Sequence, residues 1–153
     1  MKIEDVIKSS SPLQIEKKTV LNVLYTQQVI ADQFSEIVKS FDLSMEQFNV
    51  LRILRGQKEK TANMCVIQER MIAKTSNTTR LVDKLLVKNL VERAVCEENR
   101  RKIDVTITEK GLGLLTQLDP LVLAHEQNFA NNLSDEELTI FNQLLEKYRK
   151  INP

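Results

Sequence analysis

The sequence predicts a mainly α chain carrying one small β-hairpin, and three observations support this. Apolar residues recur at helical spacing from about Leu13 to Val38 and again through "LSMEQFNVLRIL". The period then falls to two: Val91, Arg93 and Val95 alternate with Glu92, Ala94 and Cys96, and Ile103, Val105 and Ile107 alternate with Asp104, Thr106 and Thr108. Helical spacing returns after Thr108.

Each element has its own reason. From Leu13 to Val38, Ile15, Val20, Leu24, Val29, Ile30, Phe34, Ile37 and Val38 fall at helix positions without a glycine, and Pro12 stands near the start. Leu21, Val23 and Tyr25 make the helix apolar on more than one face, more than packing on a single neighbour requires. Ser44 and Gln47 have capping-box spacing, Phe48, Leu51 and Leu54 follow as a stripe, and Gly56 ends that helix. "TANMCVIQERM" gives a second short helix on Met64, Val66, Ile67 and Met71, and "TSNTTRLVDKLLVKN" a third, with a tight turn expected around Ile72 to Thr75. The alternating segments form a hairpin joined by Glu97 to Lys102. Thr108 caps a helix running past Pro120 to about Ala130, with a kink or break expected at the proline. Ser134 and Glu137 open a last helix striped by Leu138, Phe141, Leu144, Leu145 and Tyr148.

At 153 residues the chain reads as one domain with a core large enough to need no staples. No apolar run approaches the roughly 18 residues that cross a bilayer, and "MKIEDVIKSSSPLQIEKK" does not resemble a signal peptide, so no membrane partner and a cytoplasmic location are expected. Cys65 and Cys96 are isolated from each other and from His125, the only histidine. No metal or disulfide spacing arises, and each cysteine reads as a small buried apolar residue, a redox-active thiol being the alternative. His125 reads as a decoration of the helix after Pro120. With three glycines and one histidine the chain offers no phosphate loop, nucleophile with its base, or metal cluster; no enzyme and no cofactor are expected.

Net charge is only +1, but residues 52–110 hold 14 Lys/Arg against 8 Asp/Glu, while the two ends together hold 8 against 13. A basic middle between acidic ends points to an anionic partner for the middle. On a helical wheel the third short helix gathers Thr78, Leu81, Val82 and Leu85 on one side and Ser76, Asn77, Arg80 and Lys84 on the other. The first set packs on the preceding helices. The second offers amides, hydroxyls and cations at a helix N-terminus, the groups that read base edges and phosphates from the major groove. Arg80 is placed for a guanine edge or a phosphate, Asn77 for an adenine edge, and Ser76 and Thr75 for a phosphate. A short helix, a turn, this helix and a hairpin tipped by Arg100, Arg101 and Lys102 make a winged helix-turn-helix, whose cations meet phosphates or the narrow minor groove.

"SNTTRLVDKLLVKNLVER" followed by "ENRRKIDVTITEKG" resembles the core of the MarR (multiple-antibiotic-resistance regulator) family, with its recognition helix S-x-x-T-R-L-V-D-x-L, a D-R-R wing and a strand ending L-T-x-K-G. Ser76, Thr79, Arg80, Leu81, Val82, Asp83 and Leu85 match the helix, and Arg100 and Arg101 the wing. The resemblance implies that Arg101 enters the minor groove. Asn99 stands where the family has a wing-orienting Asp, so an amide hydrogen bond, or Glu97 or Glu98, has to take over that role. It also implies a homodimer on a pseudo-palindromic operator, with a winged-helix core over about 42–110 and dimerisation helices over about 13–38 and 111–150. It implies a repressor role too, with release by a small aromatic or phenolic effector in a cleft for which Tyr25, Phe41, Met45 and Phe48 are the candidate lining residues.

The competing reading is a winged-helix module that binds protein instead of DNA, which acidic or apolar residues on the recognition face would favour. Asn77, Arg80, Lys84 and the wing cations oppose it. On the DNA reading, Arg101→Ala weakens operator binding far more than it shifts the melting temperature; equal affinity for mutant and wild type in a gel-shift titration removes the wing from the interface.

Overall fold

A computed structural model describes residues 1–72, 77–95 and 103–150. Its elements are α1 (Ile3–Val6), α2 (Ile15–Lys39), α3 (Met45–Arg55), β1 (Thr61–Asn63), α4 (Met64–Arg70), α5 (Thr78–Val87), β2 (Val91–Val95), β3 (Ile103–Ile107), α6 (Glu109–Ala130) and α7 (Asp135–Tyr148). The fold is mainly helical with one small antiparallel sheet.

The short α1 was not expected from the sequence. Ile3 is buried, and Glu4 pairs with Lys18 of α2 at 2.8 Å, which ties the segment down. The hydrogen bond from Lys18 holds the Glu4 carboxyl below its ordinary pKa. Further along, the expected caps form where short polar side chains precede apolar stripes. Ser44 accepts from the Gln47 amide and Ser134 from the Glu137 amide, each completing a capping box, and Thr108 accepts from the Gly111 amide.

The sheet corrects the expectation of a lone hairpin. Thr61–Asn63, which reads as the start of a helix, forms a third strand, in the order β1-β3-β2. Ala62 is buried opposite Val105, and the Thr61 and Thr106 hydroxyls meet at 2.8 Å, so cross-strand partners distant in sequence override the local helical pattern. Asn63 then caps α4 by accepting from the Val66 amide. In the hairpin, Val95 pairs with Ile103 and Val91 with Ile107.

A second correction concerns Pro120. Helix α6 runs unbroken from Glu109 to Ala130. The proline lacks the amide that would donate to Thr116, but both residues are exposed, so water satisfies the freed carbonyl and the helix continues.

Helix α3 is the post of the core. Phe48, Val50, Leu51, Ile53 and Leu54 are buried, and α2, α4, α5, α6 and β3 pack around them with Val38, Ile67, Val82, Leu85, Val105, Leu115 and Leu118. Helix α5 ends in a Schellman turn: Asn89 takes a left-handed φ of 57°, Leu90 donates to the Leu85 carbonyl, and the buried Leu90 side chain closes the cap.

That turn meets the start of α6. Thr108 donates to Leu90 through its amide at 3.1 Å and to Asn89 through its hydroxyl at 2.9 Å, and Lys110 reaches the Lys88 carbonyl at 2.8 Å. Gly111 lies in this joint, where a Cβ would stand 2.4 Å from the Leu90 carbonyl oxygen and 2.7 Å from Ile107 Cγ1. The carbonyl is backbone and held by Thr108, so it cannot give way. Gly111→Ala is therefore expected to cost about 1–3 kcal/mol through overpacking, visible as a lower denaturant midpoint; an unchanged midpoint means that the joint yields.

Candidate nucleic-acid interface

The buried face of α5 decides what its other face offers. Thr78, Val82 and Leu85 are buried and Leu81 is half-buried, as the wheel predicted. Asn77, Thr79, Arg80, Asp83 and Lys84 are consequently exposed along the opposite side. Asn77 is the N-cap residue, yet its side chain makes no cap hydrogen bond, which leaves the amide available.

Asp83 is the one acid on this face, and a carboxylate there would repel phosphates. Arg93 on β2 meets it at 2.7 Å. The pair neutralises the acid and ties α5 to the hairpin strand β2. Alternation alone gave Arg93 no role; its partnership with Asp83 appears only when β2 packs along α5.

Of the other sequence-selected residues, Thr75 and Ser76 lie outside the described residues, as do Asn99, Arg100, Arg101, Lys102 and Cys96, and so does most of the expected turn between α4 and α5. The paired ends of β2 and β3 at Val95 and Ile103 bracket residues 96–102. Cys65 is exposed on α4, which corrects the expectation of a buried thiol; the inward positions of this seven-residue helix go to Ile67 and, half-buried, Met64 and Val66.

A cavity of about 600 Å³ opens between α2, α3 and α6, with Met71 and Ile72 at its edge. Met45 and Phe48 line it, but Tyr25 and Phe41 do not. Tyr25 points outward and is 40% exposed, whereas Phe41 packs on the core beside the end of α2. Their places are taken by Phe34, His125 and Phe129. His125 is buried, not an outward decoration, because α6 turns that position toward α2: its ring lies 5.4 Å from Phe34 and 5.2 Å from Phe129. Phe34 in turn stands edge-on to Phe48 at 5.2 Å. A histidine four residues before a phenylalanine in one helix was the available signal for this face.

Below the cavity, Arg55 of α3 grips Asp119 of α6 through two bonds of 2.8 and 2.9 Å. No helix among the described residues is long and apolar enough to cross a membrane.

Two short helices, the second flanked by an antiparallel hairpin and the whole framed by long helices, make a winged-helix arrangement. The MarR family model matches residues 43–103, from just before α3 to the first residue of β3. The chain is 28% identical over 118 residues to the HTH-type transcriptional regulator MhqR of Bacillus subtilis, covering 77% of this chain and 80% of that one. A MarR transcription factor structure from Planctomyces limnophilus superposes with a TM-score of 0.68 at 29% identity, over 89% of this chain and 98% of the other. The structure of Bordetella bronchiseptica BpsR, whose DNA binding is regulated by 6-hydroxynicotinic acid, matches in fold with a TM-score of 0.79 at 20% identity, over 93% and 100% of the two chains. Over residues 43–103 the chain is similar to the MarR family, and its fold is that of MarR-family transcriptional regulators.

Proposed function

We propose that the protein is a homodimeric repressor that binds a pseudo-palindromic duplex operator and is released by a small aromatic ligand. The observation that carries the DNA reading is the polarity of α5: its apolar residues are consumed by the core, and Asn77, Thr79, Arg80 and Lys84 are left in a row for the major groove. Thr75, Ser76, Arg100, Arg101 and Lys102 extend the same surface by sequence, with Asn99 orienting the wing. Residues of about 42–110 form the reading unit, and about 13–38 with 111–150 the dimerisation frame.

The dimer follows from apolar surface that one chain leaves uncovered. Helix α7 buries none of its residues, and Ile140, Phe141, Leu144 and Tyr148 are each 45–57% exposed. On α2, Ile15, Val20 and Leu24 are similarly open. A stripe of this extent on neighbouring helices is a protein interface, and a second copy supplies matching stripes under two-fold symmetry. That symmetry sets two α5 helices on half-sites about one helical turn apart. Repression by occupancy then requires only that the dimer cover its operator.

The cavity supports the effector reading. It is bounded on one side by α3 of the reading unit and on the other by α2 and α6 of the frame, so a ligand there has different contacts for different settings of the two. BpsR, with a ligand-regulated DNA affinity on the same fold, is consistent with it.

Selection of bound fragments from a random duplex pool tests the function directly. Recovery of two-fold symmetric sequences is expected, and failure to enrich any duplex favours a protein-binding module. Leu144→Glu should convert the dimer to a monomer in light scattering and reduce affinity for the recovered sites, since buried charge is unfavourable at an apolar interface; a mutant that stays dimeric places the interface elsewhere.

A further inference from the structure

His125 is the chain's only histidine, and just 9% of its surface is exposed. It stands in a row of rings, Phe48, Phe34, His125 and Phe129, with successive centroids 5.2, 5.4 and 5.2 Å apart. All four line the cavity. Among the described residues, neither nitrogen of its imidazole has a hydrogen-bond partner. The side-chain atoms that are both buried and unpartnered among the described residues are Glu4 Oε2 and Thr78 Oγ1, so the imidazole nitrogens keep contact with the solvent of the cavity and present a donor and an acceptor to its occupant. The rest of the wall explains what such a group is for. The rings and aliphatic side chains dominate the lining around it; of the uncharged polar lining residues, Gln27 is exposed on α2 and the amide of Asn49 is already directed to Met71 Sδ at 3.4 Å. The charged lining residues are distributed differently: Arg52 and Glu126 are exposed and Glu46 is half-buried.

We infer that His125 is the residue that selects the ligand of this cavity: it hydrogen-bonds the one acidic oxygen substituent, hydroxyl or carboxylate, of an otherwise apolar flat ring. This rests on the effector reading and adds its specificity-determining contact. The flat ring is held between Phe34, Phe48 and Phe129, whose edge-to-face geometry suits a further aromatic face. The imidazole supplies what the phenylalanines cannot. In its neutral form it has one N–H donor for a carboxylate and one bare nitrogen to accept from a phenolic hydroxyl. A ligand that fills the cavity displaces water from the imidazole, so an analogue lacking the oxygen leaves the ring without a partner and binds less well.

The test uses the full-length protein and three probes of one shape: 4-methylphenol, 4-methylbenzoate and 1,4-dimethylbenzene, each titrated by calorimetry. Wild type should bind one of the two oxygenated probes about tenfold more tightly than the hydrocarbon, as one net hydrogen bond implies. His125→Phe should abolish that preference while still binding the hydrocarbon, and His125→Gln, which keeps a donor and an acceptor, should retain part of it. Melting curves of both variants establish that they are folded. Equal binding of all three probes to wild type, binding of none, or an unchanged preference in the folded Phe variant overturns the inference. Displacement of the selected duplex separates the two levels. A His125-dependent preference without duplex release sustains this inference and defeats the effector reading, whereas duplex release without the preference does the reverse.

Discussion

The close approach at Gly111 is the constraint on which the rest of the arrangement depends. Three elements with different tasks meet there: the end of α5, the base of the β2–β3 hairpin and the first turn of α6. Because the 107 and 90 positions press against a residue without a side chain, the hairpin base sits directly on the helix start. The Thr108 hydroxyl serves twice in this joint, donating to the Asn89 carbonyl and accepting from the Gly111 amide. Helix α5, the β2–β3 strands and the start of α6 are thereby held as one piece at that point. On the proposed reading, movement between the reading unit and the frame therefore falls elsewhere along α6, toward the cavity, where its contacts with α3 and α2 are made by side chains.

That geometry explains the charge and apolar patterns together. The acidic ends of the chain contain α2 and α7, whose apolar stripes remain open in one copy, while the basic middle contains α5 and the segment between β2 and β3. On the proposed reading the acids of the ends are solvated around stripes that associate, while Arg80 and Lys84 of α5 face outward. The one acid on the α5 face is held by Arg93, so the polarity of the surface is set by a pair formed across two elements.

Much of this was legible from local rules. Caps at Ser44, Thr108 and Ser134 announce themselves through side chains that satisfy helix amides within three residues, and the inward face of α5 follows from helical periodicity. What periodicity could not supply was partnership across distance. Thr61–Asn63 is a strand only because β3, more than forty residues later, pairs with it. His125 looks like surface in its own helix and is inside because Phe34 of α2 lies opposite. Tyr25 and Phe41 were placed at the cleft by their expected position in the fold, but the turn of α2 directs one outward and the end of that helix sends the other into the core. The three-dimensional setting of residues 96–102 and of 73–76 lies outside the described residues, so their part in the interface rests on sequence.

The position of Arg55 and Asp119 suggests how the cavity and the reading surface are coupled on the proposed reading. Arg52, one turn before Arg55 on α3, lines the cavity, and so does Val122, three residues after Asp119 on α6. A ligand that pushes these two helices apart therefore acts on the adjacent ion pair. The pair is half-exposed, with side chains 35% and 48% accessible, so solvent screening limits its worth to about 1 kcal/mol or less. A contact of that size can set a preferred spacing and still be overcome by a ligand of ordinary affinity. A fully buried pair in the same place would cost several kcal/mol to break and would lock the reading unit against the frame. The exposure of Arg55 and Asp119 thus suits a joint that has two settings, and Gly111 ensures that α5 and the hairpin change setting together.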